Sequence, residues 1–369
     1  AILLDDVGFG ATSAFGGPIP TPVLDSLAGQ GLRYNRFHTT SICSPTRASL
    51  LTGRNPHAVG MGAVMNSADS RPGYHGFQTR DAVGMAELLR RAGYNTAAFG
   101  KWHQTPDFET SANGPFDRWP TGQGFEHFYG FIGGETDQFE PTLYEGTSLV
   151  QLPNRPGYHL SEDLAEKASA WLKTQHSVEP ERPAFLYFAP GAAHAPLQAP
   201  REWIDRFKGK FDAGWDAMQA ETTARQKRLG IIPRGTVAAG RPDGLPAWST
   251  LTDQQKRNSA RLMEVYAGFL AHCDAQVGKL VDALKASGEF ENTLLIYVVG
   301  DNGASGEGGI YGSVNYVGAY QFMPETDAVR SAQIGQMGGP STNTHMPAGW
   351  AWGLNAPFPW MKTVASHLG

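Results

Sequence analysis

An open α/β fold, with a large mixed but mostly parallel sheet sandwiched by helices, is predicted by three features of the sequence. Short apolar runs of strand composition alternate with segments of helical period, the pattern of a sheet crossed by helices. Several of these runs end in polar or glycine-bearing residues: Asp5-Asp6, Gly100-Lys101-Trp102-His103, the loop carrying His194, and Gly300-Asp301-Asn302. Open α/β sheets place their sites beyond the carboxyl ends of the strands, so these groups are expected to meet there. The third feature is size. At 369 residues, 41% hydrophobic and 18% charged, the chain can bury one large core and still carry a minor subdomain.

Composition also narrows the partners. The formal net charge is -5 and no Lys/Arg block occurs, so neither nucleic acid nor an anionic membrane is expected as a partner. No apolar run reaches the length needed to span a bilayer. Two cysteines far apart in sequence do not make a disulfide framework. The chain opens within a strand and stops abruptly at Gly369, and is read as incomplete at both ends. It has no Asn-x-Ser/Thr sequon, which leans toward a bacterial cytoplasmic protein, with the periplasm as the alternative.

Taken in order, Ile2-Leu3-Leu4 reads as a buried parallel strand opening into a glycine-rich loop through Asp5 and Asp6. Two adjacent acids there suit a hard cation such as Ca²⁺ or Mg²⁺, or else cap a turn. Residues 21–31 read as a capped helix with Val23, Leu24 and Leu27 inward, and residues 34–38 as a strand leading to Cys43. The stretch from Cys43 to Arg54 reads as loop leading into helix, with Pro45 in the first turn, Thr46 through Leu51 continuing it and Gly53 closing it. Cys43 then sits at a helix N-terminus, where partial positive charge favours a thiolate, a derived oxyanion or a bound anion. Arg47 lies one turn on, on the same face. A small buried hydrophobe is the other reading of such a cysteine.

Residues 55–80 read as loop, and Asp81 as the cap of a helix with Val83, Met85, Leu88 and Leu89 apolar and Gly93 its stop. A strand follows at 94–99, then Lys101 and His103, which in isolation would be surface residues. Residues 104–158 read as long ordered loop with a few strands. A helix from Ser161 to about His176 leads into a strand at 183–189 and then His194. Residues 201–246 read as a helical insertion carrying Trp203, Phe207, Phe211 and Trp215, either walling a pocket near the site or packed on the periphery. A long helix from Thr252 to about Ser287 places Cys273 in its apolar stripe, so this cysteine reads as core. Residues 293–299 read as a buried strand ending at Asp301 and Asn302.

The unbroken run C-x-P-x-R followed by A-S-L-L-T-G-R resembles the first signature of the type I, formylglycine-dependent sulfatases of the alkaline phosphatase superfamily. Residues 93–103 are similar to the second signature, G-Y-x-T followed by G-K-W-H, although Phe99 is bulkier than the pattern expects. Residues 124–131 resemble another family stretch, and Lys362 lies in a W-x-K-x-x-A-S-H context like that of the arylsulfatase branch. The resemblance implies one catalytic domain over 1–369, with a C-terminal subdomain cut short. It also implies a sulfate monoester substrate, with aryl sulfates as the expected class, and a formylglycine made from Cys43 by a formylglycine-generating enzyme or equivalent. One Ca²⁺, with Mg²⁺ the alternative, would be held by Asp5, Asp6, Asp301, Asn302 and modified Cys43.

In that scheme modified Cys43 is the nucleophile, Asp301 helps to accept its proton, and His103 is the base for sulfate elimination. Arg47 and Lys101 hold the formylglycine and sulfate oxygens, while His194 and Lys362 stabilise or protonate the leaving group. Two alternatives stand beside it: a phosphonate monoester or phosphodiester hydrolase of the same superfamily, and an inactive anion-binding relative if Cys43 stays a thiol.

Overall fold

The structure, a computed structural model, describes residues 1–321 and 323–365. Its strands are β1 (Ile2–Leu3), β2 (Asn95–Lys101), β3 (His127–Phe131), β4 (Tyr144–Glu145), β5 (Ser148–Leu149), β6 (Ala184–Ala189) and β7 (Tyr297–Val298). They form one sheet in the order β5-β4-β3-β2-β6-β1-β7. The run from β3 to β7 is parallel, and the β4–β5 hairpin adds an antiparallel edge. The helices are α1 (Pro22–Gln30), α2 (Cys43–Thr52), α3 (Met85–Arg91), α4 (Leu160–Val178), α5 (Arg201–Asp205), α6 (Gly214–Arg228), α7 (Asp253–Ala286), α8 (Tyr316–Tyr320), α9 (Asp327–Ala332) and α10 (Ala348–Leu354).

Strand alternation divides the core between two helical layers. Ile2, Ala97, Phe99 and Phe188 point to one face, where Leu160 and Leu164 of α4 and Val277 and Leu280 of α7 cover them. Leu3, Ala98 and Tyr187 point to the other, under Leu51 of α2 and Ala86 of α3. In the middle of the sheet β2 is buried at every residue. Gly100 has φ 100, and a Cβ there would lie 2.0 Å from the Ala189 carbonyl oxygen, so only glycine lets β2 deliver Lys101 and His103 at this point.

The α7 helix is set by a capping box between Thr252 and Gln255 and carries Cys273 in the core, as its spacing predicts. The aromatics of 201–246 belong to the core as well. Phe207, Phe211 and Trp215 sit in one cluster with Trp248 and Trp350, and the Trp215 ring lies 4.8 Å from Trp248 and 5.6 Å from Trp350. Burial of such rings contributes roughly 1.5–3 kcal/mol each, so this segment packs as an integral layer.

Three local expectations are corrected. Residues 34–38 form no strand: Tyr34 and Phe37 are exposed, with no neighbouring strand to pair with among the described residues. The helix after residue 80 begins at Met85 with Gly84 as its cap, in place of Asp81, and turns Leu88 outward, with Val83 exposed just ahead of it. The strand expected at 293–299 shrinks to the two residues of β7, because among the described residues β7 is the sheet edge and has a partner only in β1. Leu294 and Ile296 stay exposed there, along a cleft of about 950 Å³ also lined by Leu27, Tyr34, Phe37 and Trp360.

The start of α1 is fixed from outside. Pro22 fills the first position, and Asp274 of α7 accepts from the Val23 and Leu24 amides at 3.0 and 3.1 Å. Asp274→Ala is expected to lower unfolding free energy by about 1–2 kcal/mol, and Asp274→Asn by less because one acceptor survives. Denaturant midpoints at constant m-value check this.

Candidate active site

The helix that carries Cys43 starts sharply. Ile42 is extended, and Thr40 pins the entry by donating its backbone amide to the Thr46 hydroxyl at 2.9 Å. Cys43 is therefore the first residue of α2, and Gly53, with φ 65, ends the helix as its position predicts. The Cys43 thiol is buried and lies 3.2 Å from Nδ1 of His103. His103 leaves β2 with φ 55, held by its amide donating to Ile132 at 3.0 Å, and Gly134 packs where any Cβ would strike its ring.

Beneath the thiol lies a cluster of buried charges. Asp5, Asp6 and Asp301 come from the ends of β1 and β7, and Arg47, Lys101 and Lys362 come from α2, β2 and the segment after α10. The Arg47 guanidinium donates to Asp301 at 2.9 Å and lies 3.5 Å from Asp5. Lys101 Nζ donates to Asp5 at 2.5 Å, and Lys362 Nζ to Asp6 at 3.1 Å. Asn302 donates to the other Asp6 oxygen at 2.8 Å. His194 Nε2 lies 3.0 Å from Lys362 Nζ and 3.7 Å from Asp6. Every site residue expected from the sequence is thus in one connected cluster. Ser366 and His367 of the W-x-K-x-x-A-S-H stretch lie outside the described residues.

Proton affinities follow from burial and neighbouring charge. Burial would raise the Asp5 carboxyl, but Lys101, His194 and Arg47 outweigh it and hold the group below the usual carboxylate range. Burial raises Asp6, with Asp5 and Glu307 adding to it against Lys362. Asp301 is pushed up to about 7 by burial and by Asp5. Burial, then Lys101 and Arg47, drives His103 well below its ordinary value, and burial, then Lys362, lowers His194 to about 4. Both imidazoles are neutral at neutral pH. Burial pushes the Cys43 thiol up, so as a plain thiol it is a poor nucleophile.

The acid cradle suits a hard divalent cation. Ligand atoms of Asp5, Asp6 and His194 lie within 4.8 Å of one another. Asp5 Oδ1 and Asn302 Oδ1 are buried without a hydrogen-bond partner in the protein. A divalent ion would use these oxygens and relieve the crowding that raises Asp6 and Asp301.

Several contributors escaped the sequence reading. Tyr187 of β6 meets Arg47 at 3.3 Å, Gln104 ties His103 and Ser44 together through their carbonyls, and the Tyr266 hydroxyl donates to the Asp6 carbonyl at 3.0 Å. Their types signal nothing beyond core or loop, and only the fold gives them partners. Glu307, 2.9 Å from Lys362, is a fourth.

A helix-borne side chain over an acid cradle, ringed by cations at the carboxyl ends of a mostly parallel sheet, is the arrangement of a hydrolase of anionic esters. The sulfatase family model matches residues 1–345, and the chain belongs to the sulfatase family. It is 34% identical to the arylsulfatase of Klebsiella aerogenes, over the whole of this chain and 78% of that protein. It is also 34% identical to an uncharacterised sulfatase of Schizosaccharomyces pombe, over 83% of this chain and 57% of the relative. A solved Bacteroides fragilis structure described as a sulfatase superposes with TM-score 0.60 at 22% identity, over 79% of this chain and 59% of that one, which shows the shared fold. The chain thus spans less than two thirds of the yeast protein and of the solved structure.

Adding a hard divalent cation, Ca²⁺ or Mg²⁺, is expected to raise the thermal midpoint, by the equivalent of about 2.7 kcal/mol at a hundredfold excess over Kd. Chelation should reverse the shift, and Asp5→Asn and Asp6→Asn should abolish it. Differential scanning fluorimetry of the three proteins reads the outcome.

Proposed function

We propose that the protein hydrolyses sulfate monoesters, aryl sulfates in particular, using a formylglycine made from Cys43 and one bound Ca²⁺, with Mg²⁺ the alternative ion. The observation that carries this reading is the Cys43 side chain, held at a helix N-terminus 3.2 Å from a neutral imidazole and directly beside the acid cradle. The arylsulfatase name of the Klebsiella relative supports the aryl class. Oxygen donors from three carboxylates and an amide favour calcium or magnesium over softer ions. Maturation then needs a formylglycine-generating enzyme or equivalent.

Oxidised and hydrated, residue 43 supplies one hydroxyl to attack sulfur and a second whose deprotonation releases sulfate; an ion held by Asp5, Asp6, Asp301 and Asn302 would supply positive charge for the sulfuryl oxygens. Arg47 and Lys101 orient those oxygens, and their positive charge stabilises what builds up as sulfur is attacked. Asp301, held at the strand end by Arg47 at 2.9 Å, helps to accept the proton of the attacking hydroxyl. As the ester S–O bond breaks, the electron pair leaves on the alcohol oxygen, which His194 and Lys362 protonate or stabilise. His103 Nδ1 then takes the proton that frees sulfate.

The test is sulfate release from 4-nitrophenyl sulfate by protein co-expressed with a formylglycine-generating enzyme. Peptide mass spectrometry should show H₂S replaced by O at residue 43, and Cys43→Ala should fall to background. His103→Ala is expected to lose about 10²–10⁴-fold in turnover and to retain sulfate on the protein. Faster hydrolysis of an aryl phosphonate than of the aryl sulfate would overturn the reading, as would normal turnover by His103→Ala.

A further inference from the structure

Glu307 has no place in the scheme above, yet it is the acidic partner of Lys362 that lies outside the acid cradle. Its Oε2 lies 2.9 Å from Lys362 Nζ and also accepts from the Ser305 hydroxyl at 2.8 Å. The Glu307 amide returns to the same hydroxyl at 3.2 Å, closing a tight turn. His345 Nε2 stands 3.2 Å from Ser305 Oγ. His345 Nδ1 in turn lies 3.3 Å from the Met346 carbonyl oxygen. Burial lowers His345 to about 4, so the ring is neutral. A connected chain results, from His345 through Ser305 to Glu307 and Lys362.

The turn itself is clamped. A Cβ on Gly306 would lie 2.3 Å from the Met361 sulfur, and one on Gly308 would lie 2.3 Å from the Met346 carbonyl oxygen. The Lys362 amide donates to Ala304 at 3.1 Å, so the two segments are registered through backbone as well. An ammonium has three N–H donors, and Asp6, Glu307 and His194 Nε2 occupy them. His194 accepts there because its Nδ1–H is directed to the Ala195 carbonyl at 2.8 Å. Asp6 belongs to the cradle, and the N–H now directed to the neutral His194 is the one a leaving oxygen would take in the sulfate-ester reading, which leaves Glu307 as the anchor outside both.

We propose that Glu307 is a positioning residue that holds the Lys362 ammonium aimed at the departing alcohol oxygen, with Ser305 orienting the carboxylate. This rests on the sulfate-ester reading of the site. Its signature is leaving-group dependence, because an alcohol that departs as a stable anion needs little help from Lys362 and a basic one needs much. Glu307→Gln removes the charge at constant size. It is expected to lower kcat roughly tenfold to a hundredfold for phenyl sulfate and far less for 4-nitrophenyl sulfate, the range of one charge-assisted contact. Glu307→Asp should recover part of the loss. In a Lys362→Ala background, Glu307→Gln should cost nothing further.

Equal loss across leaving groups, or losses that add with Lys362→Ala, would overturn the proposal while leaving the hydrolase reading intact. A converted wild type that released sulfate from neither ester would remove the reading and this inference together. Thermal midpoints measured on each variant separate misfolding from a changed leaving-group slope, and Glu307→Asp carries the comparison if the Gln variant does not fold.

Discussion

The neutralisation of buried carboxylates at the ends of β1 and β7 is the constraint on which the rest of the site depends. Asp5 and Asp301 are fully buried, and a carboxylate left there without a partner would cost several kcal/mol. The Arg47 guanidinium answers both acids at once and still reaches the Lys101 carbonyl and the Tyr187 hydroxyl, which a lysine's compact charge would not do. For that contact to exist, α2 must dock with its first turn over the strand ends. The position of Cys43 is therefore a consequence of charge pairing one turn away.

Backbone conformation completes what charge begins. Adjacent residues on an extended strand point to opposite faces, so Asp5 and Asp6 would diverge if β1 simply continued. Asp6 instead adopts φ 53, and with the alternation broken its carboxylate joins that of Asp5 in the cradle with His194. The left-handed conformation is unfavourable for a non-glycine residue and persists because Tyr266 fixes its carbonyl and Asp301 accepts from its amide at 3.3 Å. His103 repeats the device at the end of β2, with φ 55 and an amide bonded to the loop after β3. Both strained residues fall where a strand leaves the sheet and must redirect a functional side chain.

The legible part of the protein was local. Strand ends bearing Asp5, Lys101 and Asp301 could be read because an apolar run and the polar tip that follows it are adjacent in sequence, and the helix from Cys43 to Gly53 carries its own start and stop. What could not be read depends on neighbours. The run at 293–299 has the composition of a buried strand, but how far it pairs is decided by its edge position beside β1. Residues 34–38 have strand composition and no strand to join. The aromatics of 201–246 are plain in the sequence, while their destination against Trp248 and Trp350 is set by α10, more than a hundred residues on. Nothing in the sequence around Lys362 beyond its family context signals burial, and the structure buries it because three separate segments bring Asp6, His194 and Glu307 to it.

That burial explains how two histidines stay neutral in a site crowded with cations. Desolvation disfavours imidazolium, and Lys101 beside His103 and Lys362 beside His194 disfavour it further. Each ring then keeps a lone pair, but the two are aimed differently: His103 Nδ1 at residue 43, and His194 Nε2 at an ammonium that can supply a proton. Under the proposed reading, neighbours alone give opposite proton traffic to two residues of the same type. The lysines that keep the imidazoles neutral also give the site its attraction for an anionic ester, so a single placement of positive charge serves binding and general-base readiness together.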